Sequence, residues 1–126
     1  MTEYFKDKSF LIFEKDTNRK LNLYKYFLNT DNIKSFSTQE KIFEELSGNH
    51  YDILIIESGR LDKNILNFLA EIKDSFRSLF IVVLSITNQM NIDRYDMKNI
   101  DLYLERPMIP KDVIYELSQY FKEKEK

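Results

Sequence analysis

The 126-residue sequence contains no cysteine. Disulfide staples, thiolate metal sites and a cysteine nucleophile are excluded together. Histidine occurs once, as His50 in "SGNHYD", a setting that reads as a solvated loop between a helix and a strand with no chemical role. Any histidine-based metal cluster or Ser-His pair would have to be built around that residue alone. The only glycines are Gly48 and Gly59, so the Walker phosphate loop and the dinucleotide fingerprint are both missing. This disfavours a nucleotide-binding enzyme. The longest apolar run, "LFIVVL" at 79–84, is far short of the roughly 20 residues that span a bilayer. The charged opening "MTEYFKDKSF" lacks the apolar stretch of a secretory signal. Charge of one sign is missing too: 19 Lys and Arg stand against 21 Asp and Glu, a formal net charge of −2, with no general pull toward nucleic acid or anionic membrane. The expectation is a soluble, cytoplasmic protein.

What is present suffices for one core. With 43% hydrophobic and 14% aromatic residues, the chain is read as a single domain over 1–126. Four short apolar runs, "SFLIF" at 9–13, "DILII" at 52–56, "LFIVVL" at 79–84 and "IDLYL" at 100–104, show the continuous apolarity of strands buried on both faces. A weaker run, "IKSFS" at 33–37, suits an edge strand. Between the runs lie helical spacings: Leu21, Tyr24 and Leu28; Ile65, Phe68, Leu69, Ile72 and Phe76; Val113, Leu117, Tyr120 and Phe121. Shorter helices fit Thr38 to Leu46, with Thr38 as N-cap, and the region around Met90 to Met97. The aromatics Tyr24, Phe27, Phe68 and Phe121 are read as core.

Strict strand-helix alternation predicts an α/β fold, a doubly wound five-stranded parallel sheet with helices on both faces in a three-layer sandwich. In such sheets the functional crevice lies beyond the C-terminal strand ends. The residues there are Glu14, Lys15 and Asp16; Glu57, Ser58 and Gly59; Ser85, Ile86 and Thr87; and Glu105, Arg106 and Pro107. They supply acids, bases and hydroxyls, without a histidine to activate a serine.

Taken in order, "FLIFEKD", "YDILIIE", "IVVLSI" and "DLYLERP" resemble four strand ends of the receiver domain of two-component response regulators, and the resemblance covers nearly the whole chain. It implies the flavodoxin-like (βα)5 fold and assigns positions: Glu14 and Lys15 to the acidic pair, Glu57 to the phosphoacceptor, Ser85 to the hydroxyl, Tyr103 to the switch aromatic, and Arg106 to the lysine. Several depart from the family pattern. Lys15 stands for a metal-binding acid, Glu57 for aspartate, Arg106 for lysine, Ile86 for a small residue and Leu61 for a proline.

The departures carry chemical consequences. Glu14 and Glu57 against Lys15 and Arg106 sum to zero charge, which removes the main reason to bind magnesium; an internal salt-bridge cluster is expected in its place. Glutamate, one methylene longer than aspartate, overshoots the in-line geometry that supplies most of phosphoryl-transfer catalysis. A fixed negative charge at Glu57, paired to Arg106 and close to Ser85, is expected instead. Asp16 is read as N-cap of the first helix, and the resemblance suggests a cis Arg106–Pro107 bond, which a tertiary amide permits at about 1 kcal/mol.

The resemblance thus implies an atypical receiver, a pseudo-receiver that is not an enzyme, takes no cofactor and no metal, and signals through protein-protein contact independently of phosphorylation. Its partner is a pathway protein or a second copy, engaged through the face of the fourth helix, fifth strand and fifth helix, where Met90, Tyr95, Met97 and Tyr103 lie. The alternatives are a working phosphoacceptor with a degenerate magnesium-dependent site, aided by Asp16, or a domain that senses a small molecule in the crevice.

Overall fold

A computed structural model describes residues 5–14, 20–59, 61–85, 97–105 and 109–125. Five strands and four helices follow in order: β1 (Phe10–Phe13), α1 (Leu21–Leu28), β2 (Ile33–Phe36), α2 (Gln39–Gly48), β3 (Ile53–Ser58), α3 (Lys63–Ser75), β4 (Phe80–Ser85), β5 (Leu102–Leu104) and α4 (Pro110–Glu125). All strands are parallel, in the order β2-β1-β3-β4-β5, with β2 on an edge as its weak apolarity predicts. The fold is the expected doubly wound sheet. The expected helix near Met90 falls on 86–96, outside the described residues, so α4 is the helix read from the sequence as the fifth.

Local chemistry explains the helix boundaries. The Thr38 hydroxyl accepts from Lys41 N at 3.2 Å to open α2, and Asp62 accepts from Ile65 N at 3.0 Å to open α3. Pro110, whose missing amide costs nothing in a first turn, begins α4. Helix α1 ends at Asn29, whose φ of 54° is the left-handed conformation asparagine tolerates. Its N-cap position is Lys20, which makes no side-chain cap. Asp16, expected in that role, lies four residues upstream and outside the described residues.

Strand side chains alternate between two cores. Phe10 and Ile12, Ile53 and Ile55, and Val82 and Leu84 face α1 and α4, where they meet Tyr24, Leu28, Val113, Ile114 and Leu117. Leu11 and Phe13, Leu54 and Ile56, and Ile81 and Val83 face α2 and α3, meeting Ile42, Phe68, Leu69 and Ile72. Leu61 is buried in this second core.

Two strands run further than their apolar letters. β3 continues through Glu57 and Ser58, and β4 takes in Ser85, because the ladder is made by backbone groups and Glu57 and Ser58 lie opposite Leu84 and Ser85. At the opposite pole, carboxylates fasten the strand starts. Asp52 accepts from Ser9 N at 2.8 Å, and Asp101 accepts from Ile81 N and from Lys73 Nζ, each at 2.8 Å. His50 is largely exposed, as expected of a loop residue, with Nε2 at 3.1 Å from Asp52 Oδ1.

Candidate functional site

Alternation decides which way the strand-end side chains point. Glu14 follows Phe10 and Ile12, and Glu57 follows Ile53 and Ile55, so both acids lie on the α1 side of the sheet. Glu14 is buried and Glu57 largely so, its side chain 16% exposed.

Helix α1 meets them with two residues one turn apart. Lys20 Nζ donates to Glu57 Oε1 at 2.6 Å, and the Tyr24 hydroxyl donates to Glu57 Oε2 at 3.3 Å. One carboxylate oxygen is therefore held by an ammonium and the other by a phenol. Tyr24 has no exposed surface. Burial pushes its pKa well above the ordinary tyrosine value, with the charge of Glu57, the hydrogen bond to Glu57 and the charge of Glu14 adding to the rise. Both acids thus act on the same phenol.

The partner of Glu57 differs from the sequence reading, which assigned it to Arg106. Arg106 and Lys15 lie outside the described residues, as does Pro107, and the described cation on Glu57 is Lys20. The physical reason is reach: Lys20 stands at the start of α1, on the side that faces the odd-numbered residues of β3. Tyr24, assigned to the core by its helical spacing, is core by its ring and site by its hydroxyl. Lys20 itself was legible only as one charge in "TNRK".

Ser85 is fully buried, and its register partner is Ser58, not Glu57. By alternation Ser85 follows Ile81 and Val83, one register step beyond the pairing of Glu57 with Leu84 on the adjacent strand. Tyr103 packs against that same core. Burial raises the pKa of its hydroxyl, the neighbouring Ser85 side chain opposes the rise, and the charge of Glu105 adds to it.

Of the expected interaction residues, Met90 and Tyr95 lie outside the described residues. Met97 and Tyr103 are partly buried against the α2/α3 core, so much of their apolar surface is already covered. The large apolar side chains exposed among the described residues are Leu23 and Tyr26 on α1, Ile109 before α4 and Tyr115 on it.

Hard divalent ions need several free oxygen ligands, and both oxygens of Glu57 are engaged, one by a group of the metal's own charge sign. Among the described residues no group of three or more acidic or histidine side chains is disposed to hold a metal. Nor, among them, is any helix long and apolar enough to cross a membrane.

No protein-family model matches the sequence, and no curated protein matches it. Solved structures do. A CheY-like response regulator receiver domain protein from Methanospirillum hungatei superposes with a TM-score of 0.73 at 14% identity, over 94% of this chain and 96% of the other. The response regulator TrrA from Thermotoga maritima, solved in complex with Mg2+-BeF, gives 0.69 at 15% identity, over 89% and 97%. An orphan response regulator of H. pylori gives 0.68 at 17% identity, over 90% and 97%. The fold is that of CheY-like receivers: one sheet of five parallel strands, with four helices among the described residues.

Proposed function

We propose that this chain is a receiver-like signalling module of the two-component type that works by protein-protein contact, without phosphoryl transfer at its strand-end site. The observation that carries the reading is the state of Glu57. Glu57 lies at the end of β3, where the sequence resemblance puts a receiver's phosphoacceptor, and its carboxylate is occupied by Lys20 and Tyr24. A nucleophile whose two oxygens are held by an ammonium and a phenol is poorly placed for in-line attack. The arrangement gives Glu57 a fixed ionic partner, which supports a standing conformation over one set by a kinase.

On this reading the chain is not an enzyme, needs no cofactor, and acts in the cytoplasm on a protein partner or a second copy of itself. The face that includes Met90, Tyr95, Met97 and Tyr103 remains the proposed contact. Incubation with magnesium and acetyl phosphate, followed by intact-mass measurement, tests it. The expected mass is unchanged. A stoichiometric gain of one phosphoryl group would overturn the proposal in favour of a working phosphoacceptor.

A further inference from the structure

We infer that Lys20 is the resident cation of this site: a tethered ammonium that takes the carboxylate a divalent ion would need and so closes the pocket to metal. The inference rests on the reading of the strand end as a receiver-like site, and it concerns what controls access to that site.

Three observations converge on it. The Lys20 ammonium lies 2.6 Å from Glu57 Oε1, a short charge-assisted hydrogen bond. Tyr24, one turn further along the same helix, holds the other oxygen, so α1 supplies both of the described partners of that carboxylate. Glu14 lies on the same face of the sheet, and its charge reaches the Tyr24 phenol. The site therefore gathers two carboxylates around a helix start whose described cation is Lys20.

A metal and an ammonium cannot share this oxygen. A divalent ion would sit about 2.0–2.6 Å from it, inside the space that the Lys20 nitrogen occupies, and like charges would repel. Tethering decides the competition, because a group attached through a short flexible link acts at an effective concentration in the millimolar range or above. Free magnesium at comparable concentration must displace a cation that never diffuses away. The Lys20 side chain is 35% exposed, so solvent and ions reach the pair and the exclusion is competitive.

The test uses the full chain and manganese as the probe, with free Mn2+ read by its electron paramagnetic resonance signal and stability read by thermal melting. Lys20→Glu turns the tethered cation into a further oxygen ligand. It is expected to take up one equivalent of Mn2+ at concentrations where the parent leaves the ion free, and to melt at higher temperature when Mn2+ is added. Glu57→Gln in the same background is expected to abolish the uptake. Lys20→Met, which removes the charge without reversing it, keeps the test open should the first variant fold poorly; weaker, Glu57-dependent uptake is expected. The inference is overturned if the parent binds Mn2+ as well as the variants do, if neither variant exceeds the parent, or if uptake survives Glu57→Gln. Failure here is distinct from failure of the proposed function. A phosphorylated parent refutes that function whatever Mn2+ does, whereas an unmodified parent with metal-blind Lys20 variants refutes only the role of Lys20.

Discussion

Glu57 has two oxygens and two partners, and the partners differ in kind. Lys20 is partly exposed, whereas Tyr24 is held by its buried ring and can aim its hydroxyl only along a fixed direction. Tyr24→Phe keeps the ring and removes the donor. Urea denaturation is expected to show a loss of about 1 kcal/mol, the usual worth of one hydrogen bond. A stability unchanged or raised would mean that the 3.3 Å contact contributes nothing. At this scale the sequence was only half legible. The acid at the end of β3 stands out because it closes an apolar run. Its partners do not, because pairing Lys20 with Glu57 depends on how α1 is phased against the sheet, and a long charged side chain in "TNRK" carries no mark of where it will bend. Tyr24 was visible as apolar spacing, which reports the ring and is silent about the oxygen.

At the pole opposite the site, side chains fasten the elements to one another. Asp101 receives the Ile81 amide and the Lys73 ammonium at the start of β4 and β5, and Lys73 also donates to the Leu79 carbonyl. One carboxylate thus ties α3 to two strands. Asp101→Ala leaves the Ile81 amide without this acceptor and the Lys73 ammonium with the Leu79 carbonyl, and a loss of about 1–3 kcal/mol is expected by urea denaturation. Lys73→Met, at a partly exposed ion pair, is expected to cost less. An equal or larger effect of Lys73→Met would place the energy in the lysine's contacts with Asp101 and Leu79 and not in the amide contact. Apolar runs announced the strands, yet the ends of β3 and β4 were read one or two residues short. The reason is that a parallel ladder is paid in backbone hydrogen bonds, so Glu57, Ser58 and Ser85 continue it whatever their polarity. Helices whose caps are side chains, such as Thr38, were legible; the cap expected at Asp16 was not, since α1 opens at Lys20 without one.

For the whole molecule, charge sets the limits of stability. The Asp52 carboxyl is raised by burial but brought below its ordinary 3.8 by the Ser9 amide, His50 and the Ser9 hydroxyl together. Glu45 is lowered from 4.5, first by the Tyr51 hydroxyl and then by Lys34 against a cost of burial. Groups depressed on folding stabilise above their ordinary values and lose that contribution as pH falls through the folded ones, so the acid decline from these two is expected below about pH 4.5. Tyr24, Tyr51 and Tyr103 are all raised above 10.0, chiefly by burial. Their contribution is complete below pH 10 and is lost as pH climbs from there toward the raised values, because the unfolded chain ionises first. Urea midpoints measured across pH should therefore show both declines outside this interval; a tyrosine-linked loss beginning near neutrality would contradict the burial of these phenols.

The architecture was legible at this scale because continuous apolar strands alternating with amphipathic helices leave few other arrangements, and Ile55 and Ile56 show what that arrangement does to the chain. They are bonded neighbours that belong to different cores. Each strand is in effect two interleaved messages, one addressed to α1 and α4 and the other to α2 and α3. The first message ends on Glu57 and is answered by Lys20 and Tyr24, so it is bound to the site; the second is free to drift by volume-matched exchange among apolar residues. The sheet thereby separates the part of the sequence that must keep its letters from the part that need only keep its bulk.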